Sequence, residues 1–467
     1  MSPAHVLVLS AYELGHQPLG LAWPLGFLRD AGIPARGVDL AVEPFPEELA
    51  RAAMLVAIAA PMHTALRLAL PAARRVKQLN PAAHVCFFGH YAFLNADHLL
   101  SGAGDSVIAG EAEPALVDLA RAVLAGRPVE AVAGVGTRAR RAAPLLERPS
   151  FVAPERSGLP GLDRYARLVR DGRETIAGYL EASRGCKHRC GHCPIVPVYG
   201  GRFVAVPLEV VLADARAQHA AGARHLTFGD PDFLNGPTHA LRVARALHAE
   251  LPDTSFDFTA KVEHLLAQRA LLPELRDLGC AFVVSAVESL SDRVLAKLAK
   301  GHTAVDVDRL LDLMDEVGLA LHPTLVPFTP WATLDDYLAL LDFFERRGRA
   351  AHLPPVQLSI RLLLPPGSAL LEEEQLRACL GPLDAEGLGW RWTHPDPRMD
   401  RLHESVAARV EADEAAGVPG ARTWKAVRLL ALSAAGRGIP DERGTVDEPM
   451  PPAFRPEPPR LTEHWFC

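Results

Sequence analysis

Gly178-Tyr179-Leu180-Glu181-Ala182-Ser183 runs without a break into Arg184-Gly185-Cys186-Lys187-His188-Arg189-Cys190-Gly191-His192-Cys193-Pro194. The first six residues read as a strand, and the loop after them holds three cysteines within eight residues, spaced C-x3-C-x2-C. Three soft thiolates on one loop, with no fourth cysteine nearby, suit an iron-sulfur cubane that leaves one iron open to a ligand. The competing reading is a Cys3His zinc set completed by His188 or His192. Structural zinc usually clamps a small domain, whereas this loop follows the first strand of a long alternating series. Its position favours iron, and an open iron implies chemistry.

Working outward toward the C-terminus, strands are predicted near Gly178 to Ser183, His225 to Phe228, Ser255 to Thr259, Ala281 to Ala286, Ala320 to Pro327 and Val356 to Leu362. Helical stretches such as Leu208 to Ala221, Ser291 to Ala299 and Leu334 to Phe344 fall between them. About six β/α units in a row predict a partial β/α barrel over 174–380, with its chemistry at the carboxyl ends of the strands. The residues expected there are Gly229-Asp230-Pro231-Asp232, Lys261, Glu288-Ser289 and Arg361, with Pro327 to Trp331 as a wall of the cavity.

Working outward toward the N-terminus, residues 1–126 alternate short apolar runs with amphipathic stretches. The strands read as His5 to Leu9, Ala35 to Leu40, Met54 to Ala60, His84 to Phe88 and Ser106 to Ala109. This rhythm predicts an α/β unit with a doubly wound, Rossmann-like parallel sheet, whose ligand belongs beyond the strand ends, at the loops Ser10 to Gly20 and Gly89 to Phe93. Residues 127–173 lose periodicity and gather Pro, Arg and Gly, as a surface linker does. Residues 381–438 read as a small helical region, and 439–467 as a Pro-rich tail ending in Cys467.

Composition narrows the functional classes. Seven cysteines in 467 residues are too few for a disulfide framework, so the cluster of three belongs to metal or redox chemistry in a reducing compartment. Cys86, Cys280 and Cys379 stand alone and read as small apolar residues. With a net charge of -7 and no basic block, nucleic acid is not an expected partner. The longest apolar run, Ala52 to Met62, is too short to span a bilayer, so a cytoplasmic protein free of the membrane is expected.

The cysteine spacing and its place after the first barrel strand resemble the signature of the radical S-adenosylmethionine (SAM) superfamily. His192 stands where that family usually carries an aromatic residue before the third cysteine. The resemblance implies that Cys186, Cys190 and Cys193 hold a [4Fe-4S] cluster whose open iron chelates SAM, and that reductive cleavage gives a 5′-deoxyadenosyl radical. It also implies that Gly229 and Asp230 lie near the SAM amino group, although the family's common Gly-Gly-Glu is absent. Ser285 to Ser289, followed by Asp292 to Leu295 and Lys300-Gly301-His302-Thr303, resembles the family's ribose- and amine-binding turn, with Glu288 as the main carboxylate and Ser289 beside it. Arg361 is expected to hold SAM's carboxylate, since a guanidinium pairs bidentately with that group, and Lys261 is a second basic candidate.

Ahead of such a barrel, the N-terminal unit is similar to the cobalamin-binding domain of B12-dependent radical SAM proteins. Gly89-His90-Tyr91 and Gly110-Glu111-Ala112-Glu113 stand at that family's Gly-rich and Gly-Glu-x-Glu turns. The Asp-x-His-x-x-Gly motif of His-ligated corrinoids is missing, so His16 reads as a solvated loop residue. The ending, Leu461-Thr462-Glu463-His464-Trp465-Phe466-Cys467, resembles the radical SAM family with a Cys-Cys-Ala-Glu-Pro or Cys-selenocysteine-Ala-Glu-Pro tail. That resemblance implies a redox-active Cys467, followed in the gene by a UGA codon for selenocysteine. The expected partners are a small-molecule or peptide substrate and an electron donor of the flavodoxin or ferredoxin kind. The alternatives are a radical SAM enzyme without cobalamin and, from another class, a zinc-stabilised binding module.

Overall fold

Val6–Ser10 (β1) and Leu55–Ala59 (β3) are buried on both faces along their whole length, which a parallel sheet covered by helices on both sides requires. The computed structural model, which describes residues 5–438 and 457–463, places them beside Ala35–Asp39 (β2), His84–Phe88 (β4) and Ser106–Ile108 (β5). These five strands are parallel in the order β2-β1-β3-β4-β5, and Gly136–Thr137 (β6) joins β5 antiparallel. Val6, Val8 and Ala57 pack toward helices Leu19–Asp30 and Glu113–Leu124, while Leu7, Leu9 and Ile58 pack toward His63–Leu79. The winding direction reverses between β1 and β3, so the loop leaving β1 stands at the switch point. That loop is fixed by Glu13, whose carboxylate accepts the Leu19 and Gly20 backbone N–H groups at 3.1 and 3.0 Å and so caps the first helix.

The second sheet begins with Arg167–Arg170 (β7) and Arg173–Leu180 (β8), an antiparallel pair turned at Asp171-Gly172. Ser183–Gly185 (β9) and Phe203–Ala205 (β10) pair off separately around the cysteine loop. Then β8, His225–Phe228 (β11), Ser255–Thr259 (β12), Cys280–Glu288 (β13) and Ala320–Leu325 (β14) run parallel in that order. Helices between them end as their sequences dictate. Ala304–Val317 starts at a Thr303/Asp306 capping box and stops at Gly318 in the left-handed region, and Leu334–Arg346 starts at a Thr333/Asp336 box.

The sheet curls into a half-barrel. Where a sixth strand is expected over Val356 to Leu362, Pro354 and Pro355 withhold ladder donors, residues 355–358 coil as a 3-10 turn, and only Arg361 bridges Phe328. On the concave side, Asp257 accepts from Thr227 at 2.6 Å and pairs with His225 at 2.8 Å, and the His225 ring stacks on Phe282.

Residues 127–173 do not merely drape over the surface. The Leu145 carbonyl accepts the Glu111 N–H, and Arg156 forms a buried fork on Asp214 while donating to Gln17 and the Tyr179 carbonyl, which ties the two sheets together. After the barrel, an antiparallel hairpin of Leu380–Asp384 (β15) and Gly389–Trp392 (β16) precedes helices Pro397–Ala415 and Gly420–Ala434. Arg460–Leu461 (β17) adds antiparallel to β7, and the preceding Pro459 carbonyl takes a 2.7 Å hydrogen bond from His322 of β14. The Pro-rich segment thereby links the two edges of the half-barrel. No described helix is long and apolar enough to cross a membrane.

Candidate active site

The cysteine loop hangs from the carboxyl end of β11. Asp230, completely buried, accepts the Ala182 N–H at 2.7 Å and the Ser183 hydroxyl at 2.5 Å, and Asn235 accepts the Lys187 N–H at 3.0 Å with the Cys186 thiol 3.7 Å away. Burial pushes the Asp230 carboxyl up to about 7, although its bonds to Ser183 and Ala182 oppose that rise. Gly185 is dictated by packing: its φ is +72°, and a Cβ there would lie 2.5 Å from the Tyr199 ring and 2.6 Å from the Arg202 carbonyl. On the far side, Gly191 donates to the Leu298 carbonyl at 2.9 Å.

Cys186 and Cys190 are buried and Cys193 half-buried, all three as free thiols. Burial pushes the Cys186 thiol up to about 12 and Cys193 to about 11, so a bound cation is what would hold them as thiolates. The donor set fits an iron-sulfur cluster, being three thiols on one tightly pinned loop with no fourth cysteine assigned to it. A cluster would take Cys186, Cys190 and Cys193.

Glu288 closes β13 with φ +64°, just after a register shift against β14, a strained geometry that turns its side chain toward the cysteine loop. Its carboxylate accepts from the Lys300 ammonium at 3.2 Å and meets His192 Nε2 at 3.3 Å. Burial would raise its pKa, but Lys300 and His192 bring it down to about 2, so the group is an anion buried beside the cysteines. The Ser289 hydroxyl accepts the Ser291 N–H and fixes the turn. Gly229 is required because a Cβ would sit 2.5 Å from the Tyr179 hydroxyl. Lys300, quoted in the sequence only as part of a motif, thus becomes the residue that keeps Glu288 charged.

Two expected residues stand in surroundings the sequence did not show. The Arg361 guanidinium pairs with Asp400 at 2.8 Å, donates to the Trp392 carbonyl and stacks 3.6 Å from the Trp392 ring, in the hairpin and helix that follow the barrel. His16 is not solvated. It is buried face-to-face on Tyr179 with ring centroids 4.4 Å apart, neither ring nitrogen has a partner among the described residues, and burial draws its pKa down to about 4.

At the carboxyl edge of the front sheet, Gly89 (φ +107°) and Gly110 (φ +78°) answer to the protein's own backbone, since a Cβ would lie 2.8 Å from the Ala60 carbonyl and 1.9 Å from the Leu145 carbonyl. Tyr91 donates its N–H to Ala60, and His90 is half-buried edge-on to Tyr199, its buried Nδ1 having no partner among the described residues. Glu111 accepts from Arg184 at 2.9 Å and from Tyr199 at 2.7 Å. The Ser10 hydroxyl is likewise buried without a partner among the described residues. A cavity of about 450 Å³, lined by Tyr12, His16, Leu40, Tyr165 and Glu463 among others, opens at the switch-point loop. Orphaned Ser10, His16 and His90 atoms along one edge are what a bound ligand there would satisfy, so the edge fits a corrinoid better than the occupied Glu111 does. The larger cavity, about 890 Å³, lies at the opposite, amino end of the barrel strands and touches none of these groups. Cys467 lies outside the described residues.

Residues 180–343 match the family model for the radical SAM superfamily. Among curated proteins, the ribosomal protein uS12 methylthiotransferase RimO of Desulfosudis oleivorans is 30% identical over 175 residues, covering 35% of this chain and 39% of that protein. An uncharacterized methyltransferase of Pyrococcus horikoshii is 24% identical over 250 residues, covering 52% and 53%. The chain spans about two fifths to half the length of these relatives. Among solved structures, the methyltransferase TsrM of Kitasatospora setae, with cobalamin and a [4Fe-4S] cluster bound, superposes with a TM-score of 0.60 at 18% identity, covering 88% of this chain and 89% of that one. The cobalamin-dependent radical enzyme OxsB, with aqua-cobalamin bound, superposes with a TM-score of 0.69 at 14% identity, covering 87% and 67%. The fold of both units is therefore shared with these proteins, and residues 180–343 are similar in sequence to the radical SAM superfamily.

Proposed function

We propose that the chain is a cobalamin-associated radical SAM enzyme that transfers a methyl group to, or otherwise modifies by radical chemistry, a small molecule or peptide. The observation that carries the reading is the meeting of the cysteine loop with the buried Glu288–Lys300 pair through His192. In this reading 1–126 is the corrinoid-binding unit, 127–173 its connection, 174–380 the radical SAM unit, 381–438 the region that engages Arg361, and 439–467 the tail. When bound, the cluster supplies the electron that splits the sulfonium of SAM, and a corrinoid supplies a methyl carrier. The chain's own residues then have defined tasks. Cys186, Cys190 and Cys193 leave one iron corner free, and Glu288 is a fixed anion able to accept from the ribose hydroxyls or the amine of SAM. Lys300 holds that anion in place. Ser10, Gly89 and His90 line the edge where a corrinoid would lie, facing the cysteine loop across Arg184.

The electron comes from a flavodoxin or ferredoxin type of donor. Cys467, outside the described residues, is assigned here as a redox-active thiol. The described stretch 457–463 runs in the direction of β8 toward the strand carboxyl ends and sets Glu463 to accept from Tyr12 at 2.8 Å.

The test is anaerobic reconstitution followed by SAM and dithionite. The wild type is expected to hold iron and sulfide and to release 5′-deoxyadenosine, and the triple variant Cys186→Ala/Cys190→Ala/Cys193→Ala neither. A fully loaded cluster that releases no deoxyadenosine overturns the reading. Failure to retain hydroxocobalamin leaves the radical SAM enzyme without corrinoid, and a cysteine site that takes zinc with no iron or sulfide leaves the binding module.

A further inference from the structure

We propose that His188, Asp232 and His264 form a second metal site, for a divalent transition ion such as zinc or iron(II), distinct from the three cysteines. The three residues reach one point from three segments: the cysteine loop, the turn after β11 and the helix Val262–Ala267. His188 Nε2 lies 3.6 Å from Asp232 Oδ2, His264 Nδ1 lies 2.9 Å from the same oxygen, and the two nitrogens are 3.4 Å apart. Ligands held 2.0–2.1 Å from a tetrahedral ion stand about 3.3 Å from one another, so the triangle already has the dimensions of one face of a coordination shell. Two imidazoles and a carboxylate form a set that zinc and iron(II) accept.

Hydrogen bonding alone accounts poorly for this triangle. Asp232 is completely buried, and its Oδ1 is engaged by the Leu234 N–H while Oδ2 takes the Lys261 N–H at 3.2 Å. The His264 bond to Oδ2 is good, but His188 Nε2 has its nearest polar partners among the described residues at 3.4 Å, His264 Nδ1, and 3.6 Å, Asp232 Oδ2. The surroundings suit a loaded site. Glu263 Oε2 lies 3.8 Å from His188 Nδ1, the carboxylate neighbour that metal-bound histidines commonly have, and Lys261 Nζ, 3.1 Å from Nδ1, has Glu263 within 3.3 Å to turn to. Loading places the proton of His188 on Nδ1 and that of His264 on Nε2, which leaves both inward nitrogens with free lone pairs. The His264 side chain, 19% exposed, marks the access path. The ion would clamp the cysteine loop on the side away from His192 and Glu288.

The test uses the full chain with Cys186→Ala/Cys190→Ala/Cys193→Ala, so that no cluster thiolate contributes, titrated with Co2+ alone. One ion per chain is expected, with the visible bands of a low-coordinate ion and no sulfur charge-transfer band. His264→Gln and Asp232→Asn, each checked for native circular dichroism, should weaken the binding at least tenfold. No saturable uptake, or a smaller loss in both variants, overturns the site. Because the triple variant risks misfolding, the wild type with its cluster intact gives a second readout. Zinc supplied during purification should be retained at one per chain and lost in His264→Gln with iron content unchanged, and a wild type that retains neither zinc nor iron beyond the four atoms of its cluster overturns the proposal. Neither result depends on SAM cleavage.

Discussion

Arg184 Nη1 stands 2.9 Å from Glu111 Oε2, which joins the residue two places before the first cluster cysteine to the turn that ends β5. The same guanidinium reaches Glu113 at 2.9 Å and Glu181 at 2.5 Å, and it lies over the Trp23 and Phe151 rings. One cation therefore gathers three carboxylates, Glu111 and Glu113 buried and Glu181 half-buried. Any shift of the front sheet is felt directly at the cysteine loop.

Replacing that cation leaves buried carboxylates without a counter-charge. Arg184→Met is expected to lower the free energy of urea unfolding by about 3–5 kcal/mol. The loss should be larger at pH 8 than at pH 5, because the abandoned carboxyls can take up protons in the more acidic buffer. Urea titrations at both pH values check this, and a loss below about 1 kcal/mol would show that the hub is not desolvated in solution.

Asp230 makes a pH prediction whose sign is fixed. Its folded pKa of about 7 exceeds the ordinary value of 3.8, so between those two values the folded state is protonated while the unfolded chain is ionised. Folding then binds a proton, and this group's contribution to stability falls as pH rises, by up to about 1.4 kcal/mol per unit. The stability difference between wild type and Asp230→Asn should therefore decline from pH 4 to 7 and level off above. A flat difference would place the carboxylate in water.

How much of this was legible in the sequence depends on whether a residue's partners are near it in the chain. The parallel strands were readable because Leu55–Ala59 and its neighbours are apolar runs bounded by turn residues, and the cysteine loop because its spacing is local. The hairpin β15–β16 left a signal in the Gly387 turn and the Trp390/Trp392 alternation, but it sits in a segment that otherwise reads as helical. The strand β17 had none, since two residues between prolines and a tail acquire strand geometry only from β7. Arg361 ends a predicted strand and so looked like a cofactor ligand, and nothing near it in the chain foretold Asp400. His188, Asp232 and His264 are 44 and 32 residues apart in sequence order, so only the curl of the sheet brings them together.

Glu288 and Lys300 can be separated as structure and as function. Glu288→Gln should leave cluster iron unchanged yet weaken SAM binding at least tenfold, and it should also destabilise the protein because Lys300 stays buried and charged. Adding Lys300→Met should recover most of the stability without recovering SAM affinity. Equilibrium dialysis with SAM and urea titration read the two effects independently, and parallel recovery of both would mean that the pair has only a structural role.

Arg361 provides a contrast. With its guanidinium committed to Asp400 and Trp392, Arg361→Met is expected to cost about 1–2 kcal/mol through the lost ion pair and stacking, while the dissociation constant for SAM stays within twofold. Dialysis with SAM checks the second half, and a tenfold loss would return Arg361 to the SAM carboxylate.

The closing segment 457–463 should protect the strand it covers. Its backbone pairs with β7, Thr462 donates its N–H to the Arg167 carbonyl and accepts the Arg167 N–H on its hydroxyl, and Leu461 packs on Leu168, Ala177 and Phe282. Without it, β7 becomes a bare edge whose amides open to water, and the burial of Leu461, about 1.5–3 kcal/mol, is lost. A chain ending at residue 456 is expected to show at least tenfold faster amide exchange over 167–170. The amides of His225–Phe228, deep in the sheet, should change far less. Equal acceleration at both places would mean that the whole half-barrel depends on its closing strand, and no acceleration at 167–170 would mean that the pairing with β17 does not persist in solution.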